Sequence, residues 1–186
     1  MSTRSQLLDH AETFARRRGF DAFSFADLES AVGIRKASIH YHFPTKGDLS
    51  TALLQRYTDV FSDRLQEIGK SHDTAGARLL AFVDLYRQAL DGGRSTCLCV
   101  ALSITQAALP EDSRAALDRF HDIVAAWLEQ VFRLAQSDGT ISGVTEARSE
   151  ARGALAQVEG AQIAGRAAQD PARFEAAIDT LRARAM

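Results

Sequence analysis

The chain has few prolines, few cysteines and no long apolar run. Three Pro among 186 residues leave long helices uninterrupted. Two Cys cannot form a disulfide framework, and they suit a reducing compartment. No stretch approaches the roughly 18 apolar residues of a membrane span, and the first residues lack the apolar centre of a signal peptide. These absences exclude a disulfide-stapled or membrane-spanning protein and predict a cytoplasmic one.

A strong excess of either charge is also missing. The net charge is −2, so any attraction to a polyanion must be local rather than global. Residues 1–50 hold seven Lys or Arg and six Asp or Glu, a balance of +1, which leaves −3 for the remainder. Three of these cations, Arg35, Lys36 and Lys46, lie in one short segment. A nucleic-acid contact is therefore expected there and not over the whole surface.

Sequence patterns of catalysis are absent as well. We find no Gly-rich phosphate loop, no nucleophile elbow, no metal-ligand cluster and no coherent acid–base pair. The chain is therefore predicted not to be an enzyme and to hold no cofactor or metal. Cys97 and Cys99 are two residues apart, about 200° around a helix, which prevents an unstrained bridge between them. They are interpreted as small buried apolar residues, with a redox- or electrophile-sensing thiol and a metal ligand as open alternatives.

Good helix formers dominate the composition, and no alternation of period two is long enough to predict a strand. The fold class is therefore all-α, with about nine helices. Gly and Pro breaks and capping residues give their approximate bounds. The predicted helices cover residues 4–18, 25–32, 35–42, 46–68, 75–90, 95–108, 111–136, 145–168 and 171–184.

The second, third and fourth predicted helices follow the order of a helix-turn-helix. Ser24 is a good N-cap, with Asp27 in the place of the usual Glu of a capping box. Gly33 permits the positive φ of a tight turn. Pro44 ends the third helix, and Thr45 caps the fourth. The third helix is then the one shaped to enter the DNA major groove.

A recognition helix needs a polar outer side and an apolar inner side. The residues predicted to face DNA are Arg35, Lys36, Ser38, Tyr41 and His42. Those predicted to face the core are Ile34, Ala37 and Phe43, with Ile39 near the edge. Lys46 and the N–H groups that open the fourth helix are expected to bind a phosphate. The alternative is an ordinary charged surface helix.

The segment from Gly33 to Lys46, Gly-Ile-Arg-Lys-Ala-Ser-Ile-His-Tyr-His-Phe-Pro-Thr-Lys, resembles the tetracycline-repressor (TetR/AcrR-type) family of bacterial one-component regulators. The resemblance implies that six residues take the family's DNA-contact roles: Ser24, Lys36, Ser38, Tyr41, His42 and Lys46. Arg35 replaces a small polar residue and adds a base contact, whereas Ala37 replaces Gly and hinders close backbone approach. His40 replaces a Tyr that often touches phosphate, so its role is open between that contact and a neutral spacer.

The resemblance also implies two domains: a DNA-binding domain over residues 1–46 and a helical ligand-binding and dimerisation domain over residues 47–186. The candidate lining of a ligand pocket is Phe82, Tyr86, Cys99, Gln106, Phe120, Trp127 and Gln162. The candidate homodimer interface is Leu155, Val158, Gln162, Phe174, Ile178 and Leu181. In both sets the alternative is ordinary packing within one subunit.

The leading hypothesis is therefore a sequence-specific transcriptional repressor. Its partners are double-stranded operator DNA and an unknown small-molecule inducer, which releases the repressor from the operator. The first alternative is a regulator that senses oxidants or electrophiles through Cys97 or Cys99. The alternative of a different class is a helical protein without DNA function, or an enzyme.

Overall fold

A computed structural model describes residues 2–105 and 109–185 of the chain. Within these residues the fold is all-α, as predicted, and an isolated bridge between Ile141 and Ala185 is the only β-type pairing. Its helices are α1 (Thr3–Arg18), α2 (Phe25–Val32), α3 (Lys36–His42), α4 (Lys46–Ser71), α5 (Ala75–Leu90), α6 (Leu98–Ser103), α7 (Glu111–Asp138), α8 (Ala147–Ala168) and α9 (Pro171–Arg182). None of the described helices is long and apolar enough to cross a membrane.

The helix bounds depart most from the prediction at α6. This helix was expected to begin near residue 95, but it begins at Leu98. The residues before it have tertiary partners instead: the Ser95 hydroxyl donates to the Ala89 carbonyl (2.6 Å), and the Cys97 N–H donates to Gln162 Oε1 (2.8 Å). Because these groups are bonded to residues outside α6, the helix begins three residues later than predicted.

The first of two compact units contains the residues up to Asp59 together with Leu98–Phe120. Its core is built from fully buried apolar side chains of α1, α2, α3 and α4: Leu7, Leu8, Leu28, Ile39, Leu49 and Leu53. Helix α6 packs on α1. The stretch 98–120 thus belongs to the same packed body as the predicted helix-turn-helix. The predicted division of the chain at residue 46 remains a prediction.

Within this unit, three hydroxyl groups join the second turn of α4 to the first turn of α7. We call Ser50, Thr51 and Ser113 the hydroxyl cluster. Ser113 Oγ lies 2.7 Å from Ser50 Oγ and 2.8 Å from Thr51 Oγ1, and both residues of α4 donate to the Gly47 carbonyl. A Cβ atom at Gly47 would lie only 2.6 Å from Pro110 Cγ, so glycine is required for this approach.

The second unit contains Val60–Cys97 and the residues from His121 onward. Helices α8 and α9 pack along each other, and the buried Phe174 and Ile178 of α9 fill the contact. Gln162 is a polar exception in this core. It is fully buried, and its amide donates to the Tyr86 carbonyl (2.7 Å) while its oxygen accepts the Cys97 N–H. Both ends of the side chain are therefore hydrogen-bonded, as burial demands.

Candidate nucleic-acid interface

The turn between α2 and α3 is built by local capping. Ser24 Oγ accepts from the Asp27 N–H, and the Asp27 carboxylate accepts from the Ser24 N–H at 2.7 Å, which completes the predicted capping box. The Ser24 hydroxyl, which also donates to the Asp27 carboxylate at 2.7 Å, and the Ser24 N–H together hold the pKa of Asp27 below its ordinary value. Gly33 ends α2 in the left-handed region (φ 74°, ψ 31°). The chain is thereby turned sharply before α3 begins.

The first turn of α3 is capped from α2. Arg35 occupies the N-cap position but makes no side-chain cap. Instead the Lys36 N–H donates to the Glu29 carboxylate at 3.1 Å. A carboxylate at this place satisfies one of the helix's orphan donors and opposes the positive end of its dipole. Glu29 therefore fixes where the recognition helix starts.

Two apolar side chains anchor α3 to the core. Ile39 and Phe43, four residues apart, are almost fully buried. The prediction had placed Ile39 at the edge and Ala37 inside, and both placements are wrong. Ala37 is exposed. It lies two residues from Ile39, about 200° around the helix, so the burial of one places the other outside.

The outer side of α3 is open to solvent. Arg35, Lys36, Ser38 and Tyr41 are exposed, Tyr41 to 84%, and His42 is partly exposed. Within the described part of the chain, neither Arg35 nor Lys36 makes an ion pair. A surface depression of about 430 Å³ lies on this side, lined by Thr3, Ile34, Ala37, Ser38, Tyr41 and His42. Ala37, Ser38 and Tyr41 therefore face the depression, and the exposed Arg35 and Lys36 lie at the start of the helix, outside its lining.

The side chain of His40 lies at the C-terminal end of α3. Its Nδ1 lies 3.0 Å from the Pro44 carbonyl oxygen, which requires the proton on Nδ1. Its ring meets Phe25 edge-on at 5.0 Å. The side chain therefore supports the turn into α4.

Lys46 is turned inward. Its ammonium donates to the Phe23 carbonyl at 2.5 Å and lies 4.8 and 4.7 Å from the ring centres of Phe20 and Phe23. Burial lowers the pKa of Lys46, with Asp21 and Asp27 acting in the opposite direction. In this position the charge is a cation–π and hydrogen-bond partner of the bundle. A phosphate contact by Lys46 would require the side chain to leave these partners.

One cation beside α3 was missed by the sequence analysis. Arg4, in the first turn of α1, is exposed, and its guanidinium lies 5.4 Å from the centre of the Phe43 ring. Its neighbour Thr3 lines the depression. No motif marks Arg4, because its place beside α3 depends on the packing of α1 and not on its sequence neighbours.

The predicted ligand-pocket residues fall in different parts of the fold. Phe82 contacts both Tyr86 and Trp127, with ring centres 5.1 and 5.9 Å apart, inside the second unit. Cys99 and Phe120 are buried in the first unit, and Gln106 lies outside the described residues. The structure thus brings together part of the set, around Phe82, and a pocket formed by all seven remains a prediction.

The predicted dimer-interface residues need correction. Leu155, Val158, Gln162, Phe174, Ile178 and Leu181 are all buried within the single chain, at 0–7% exposure. They fill the contact of α8 with α9 and the core beneath it, so they present no surface to a second subunit. An apolar stripe at helical spacing does not reveal whether its partner lies in the same chain.

An exposed polar helix, anchored by two apolar residues behind a capped glycine turn, is the arrangement of a helix-turn-helix, the motif with which many DNA-binding regulators read the major groove. The comparisons agree. Residues 7–53 match the sequence model of the bacterial regulatory proteins of the tetR family. The HTH-type transcriptional repressor NemR of Escherichia coli (strain K12) is 32% identical over 134 residues, which cover 69% of this chain and 66% of NemR, just under two thirds.

Solved structures extend the match to the whole chain. A TetR-family transcriptional regulator from Agrobacterium tumefaciens superposes with a TM-score of 0.92 at 29% identity, covering 98% of this chain and 97% of that one. The reduced form of E. coli NemR gives 0.84 at 26% identity, covering 100% and 98%. The chain belongs to the TetR family of bacterial regulatory proteins, and the resemblance noted in the sequence is confirmed.

Proposed function

We propose that this regulator is a transcriptional repressor that binds operator DNA as a homodimer through α3 and is released by a small-molecule inducer. The observation that carries the proposal is the outer face of α3, where Arg35, Lys36, Ser38 and Tyr41 are exposed while Ile39 and Phe43 anchor the helix. The repressor activity of the relative NemR supports the direction of regulation.

The contacts divide by chemistry. Arg35 and Lys36, at the start of α3, are assigned to base edges, because a basic side chain pairs with guanine O6 and N7. Ser38, Tyr41 and His42 are assigned to phosphates or nearby base edges, and Arg4 adds a phosphate contact from α1. The remaining predicted residues, Ser24, His40 and Lys46, are assigned to holding the turns that aim α3.

Binding to DNA is tested with operators selected from random duplexes, followed by fluorescence anisotropy at several salt concentrations. Lys36→Ala is expected to weaken binding and relax specificity at one position, whereas Arg4→Ala weakens binding at every sequence and lowers the salt slope by about 1. Lys70→Ala is the matched control, since it removes one exposed charge from α4. A selection that yields no bound sequence, or an equal loss of DNA affinity in Lys70→Ala, would overturn the proposal.

The homodimer is proposed to use the side of α8 that the chain leaves exposed. This side has mostly small residues at helical spacing: Gly153, Ala156, Gly160, Ile163, Ala164 and Ala167. Ile163 is 45% exposed. Small side chains permit two helices to approach closely, and an isologous pair sets two recognition helices about one duplex turn, roughly 34–36 Å, apart.

Sedimentation equilibrium tests this surface. Ile163→Glu is expected to shift the protein toward monomers and to weaken operator binding together with it. Val60→Glu is the control, since Val60 is an exposed apolar residue of α4. A dimer that survives Ile163→Glu unchanged would remove α8 from the interface.

Release by an inducer is proposed to run through the stretch 98–120, which packs in the same unit as the helix-turn-helix. The hydroxyl cluster connects the first turn of α7 to the second turn of α4. An inducer acts only by binding one state of the protein more tightly than the other. A compound that releases operator from the wild type but not from Ser113→Ala would support this route, and equal release from both would oppose it.

The thiol-sensing alternative is less well supported. Cys97 and Cys99 are 1% and 0% exposed, and reactive thiols are partly exposed in electropositive surroundings. Cys97→Ser and Cys99→Ser proteins are expected to lose operator under an oxidant no differently from the wild type. A variant that resists the oxidant would restore this alternative.

A further inference from the structure

The outer face of α3 holds one side chain with no capacity for hydrogen bonding or charge. Ala37 is exposed, between the exposed Lys36 and Ser38. It lines the depression together with Ile34 and Tyr41. The methyl group of Ala37 therefore lies beside the polar side chains of Ser38 and His42 in this depression.

An apolar spot reads only one feature of the major groove. Guanine, cytosine and adenine present donors and acceptors there, and thymine alone adds a C5-methyl group, which alanine contacts favourably. We propose that Ala37 reads the C5-methyl group of a thymine in each operator half-site, beside the base read by Lys36. This inference rests on the proposed function, and it names the part of the operator that one residue recognises.

The position of Ala37 favours it over Ile34 and Tyr41, which also line the depression. It is the second residue of α3, and the N-terminal residues of a recognition helix reach the base edges. Tyr41 lies one turn later, where its long side chain suits the backbone. Ile34 lies in the turn before α3 and is partly buried.

The test removes the methyl group from the DNA and from the protein separately. In an operator selected from random duplexes, each thymine is replaced singly by deoxyuridine, which differs only by that methyl group. Anisotropy then gives the affinity of the wild type and of Ala37→Gly for every duplex. The wild type is expected to lose about fourfold at one thymine of each half-site, the value of one buried methyl group. Ala37→Gly is expected to lose affinity for the thymine duplex and to show no further loss on deoxyuridine.

A matched control separates this contact from the general cost of glycine in a helix. Ala26 is the exposed second residue of α2, as Ala37 is of α3. Ala26→Gly pays the same backbone entropy and is expected to retain the full discrimination between thymine and deoxyuridine.

Three results would overturn the inference: a selected half-site without thymine, a wild type insensitive to every deoxyuridine, or a sensitivity that Ala37→Gly retains. In each of these the protein still binds its operator, so the proposed function stands. Failure to bind any selected duplex would overturn the proposed function instead.

Discussion

The recognition helix and the α8–α9 pair are held by different interactions. Around α3, most fixed points are polar: the Glu29 carboxylate on the Lys36 N–H, the His40 ring on the Pro44 carbonyl, and Lys46 on the Phe23 carbonyl. Between α8 and α9 the contact is made by buried apolar side chains. Hydrogen bonds are directional, so they fix the position of a short helix, but each adds little stability. Apolar burial is not directional, but it adds much more stability. Substitutions around α3 should therefore change mainly the DNA affinity, whereas substitutions between α8 and α9 should change mainly the stability.

The largest effect is expected from Phe174→Ala in α9. This side chain is fully buried, and its removal should lower the free energy of unfolding by about 3–5 kcal/mol. Tyr41→Ala removes an aromatic side chain that is 84% exposed, and it should change that free energy by less than about 0.5 kcal/mol while weakening operator binding. Urea unfolding and anisotropy measure both. Similar destabilisation by the two variants would break the comparison.

Removing a polar contact from the interior of the apolar region should lower the free energy of unfolding more than removing one at its surface. Gln162→Leu removes two hydrogen bonds of a fully buried amide and is expected to cost about 1–3 kcal/mol. Gln157→Leu also removes hydrogen bonds, to the Ala177 carbonyl and the Thr180 hydroxyl, but at a partly exposed site. It should cost less than about 1 kcal/mol. Urea unfolding of both variants decides the order, and equal costs would contradict it.

Changes at Glu29 should move DNA affinity with little effect on stability. Glu29→Gln and Glu29→Ala both remove a charge that repels phosphate, but only Gln keeps an oxygen to accept the Lys36 N–H. We expect Glu29→Ala to bind operator several-fold more weakly than Glu29→Gln, because the start of α3 frays. Their unfolding free energies should agree within about 1 kcal/mol. Equal affinities would show that this cap does not position the helix.

The smallest expected effect is on the pH dependence of stability. Hydrogen bonds from Ser24 and Thr45 lower the pKa values of Asp27 and Asp48. A lowered pKa in the folded state stabilises the protein above the ordinary Asp pKa of about 4, and this contribution is lost as the pH falls below it. Replacing both by Asn keeps an acceptor that does not titrate. Thermal unfolding between pH 6 and 3 should then show a slightly smaller loss of stability with falling pH than in the wild type. An unchanged profile would contradict this.

The parts of the fold that depend on local chemistry could be predicted from the sequence. The capping box at Ser24, the left-handed Gly33 and the helix stop at Pro44 each act within a few residues, so the helix-turn-helix was found. The orientation of α3 was not, because its start is fixed by Glu29, seven residues upstream and on another helix. The buried face was also misassigned, since it is formed by Ile39 and Phe43, four residues apart, and Ala37 lies about 200° from Ile39 around the helix.

The contact partners of long helices were also beyond reach of the sequence. The stripe on α8 and α9 shows which residues are buried, but an apolar face looks the same whether it packs in its own chain or on a second copy. The inward position of the Lys46 side chain was not predicted for a related reason. Its ammonium group contacts Phe23, a residue 23 positions away in the sequence. The residues next to Lys46 in the sequence indicate only the start of a helix.

The second turn of α4 and the first turn of α7 are joined through hydroxyl groups, and this makes their connection sensitive to distance. Hydrogen bonds between oxygens weaken steeply once their separation exceeds about 3 Å, whereas contacts between methyl groups fade over a longer range. Ser113 is held at 2.7 and 2.8 Å from Ser50 and Thr51. We therefore expect a shift of α7 by a few tenths of an ångström to be transmitted to α4, and a shift of about 1 Å to break both bonds. Under the proposed inducer mechanism, the amplitude of the α7 movement, as well as its direction, would then decide whether α3 follows.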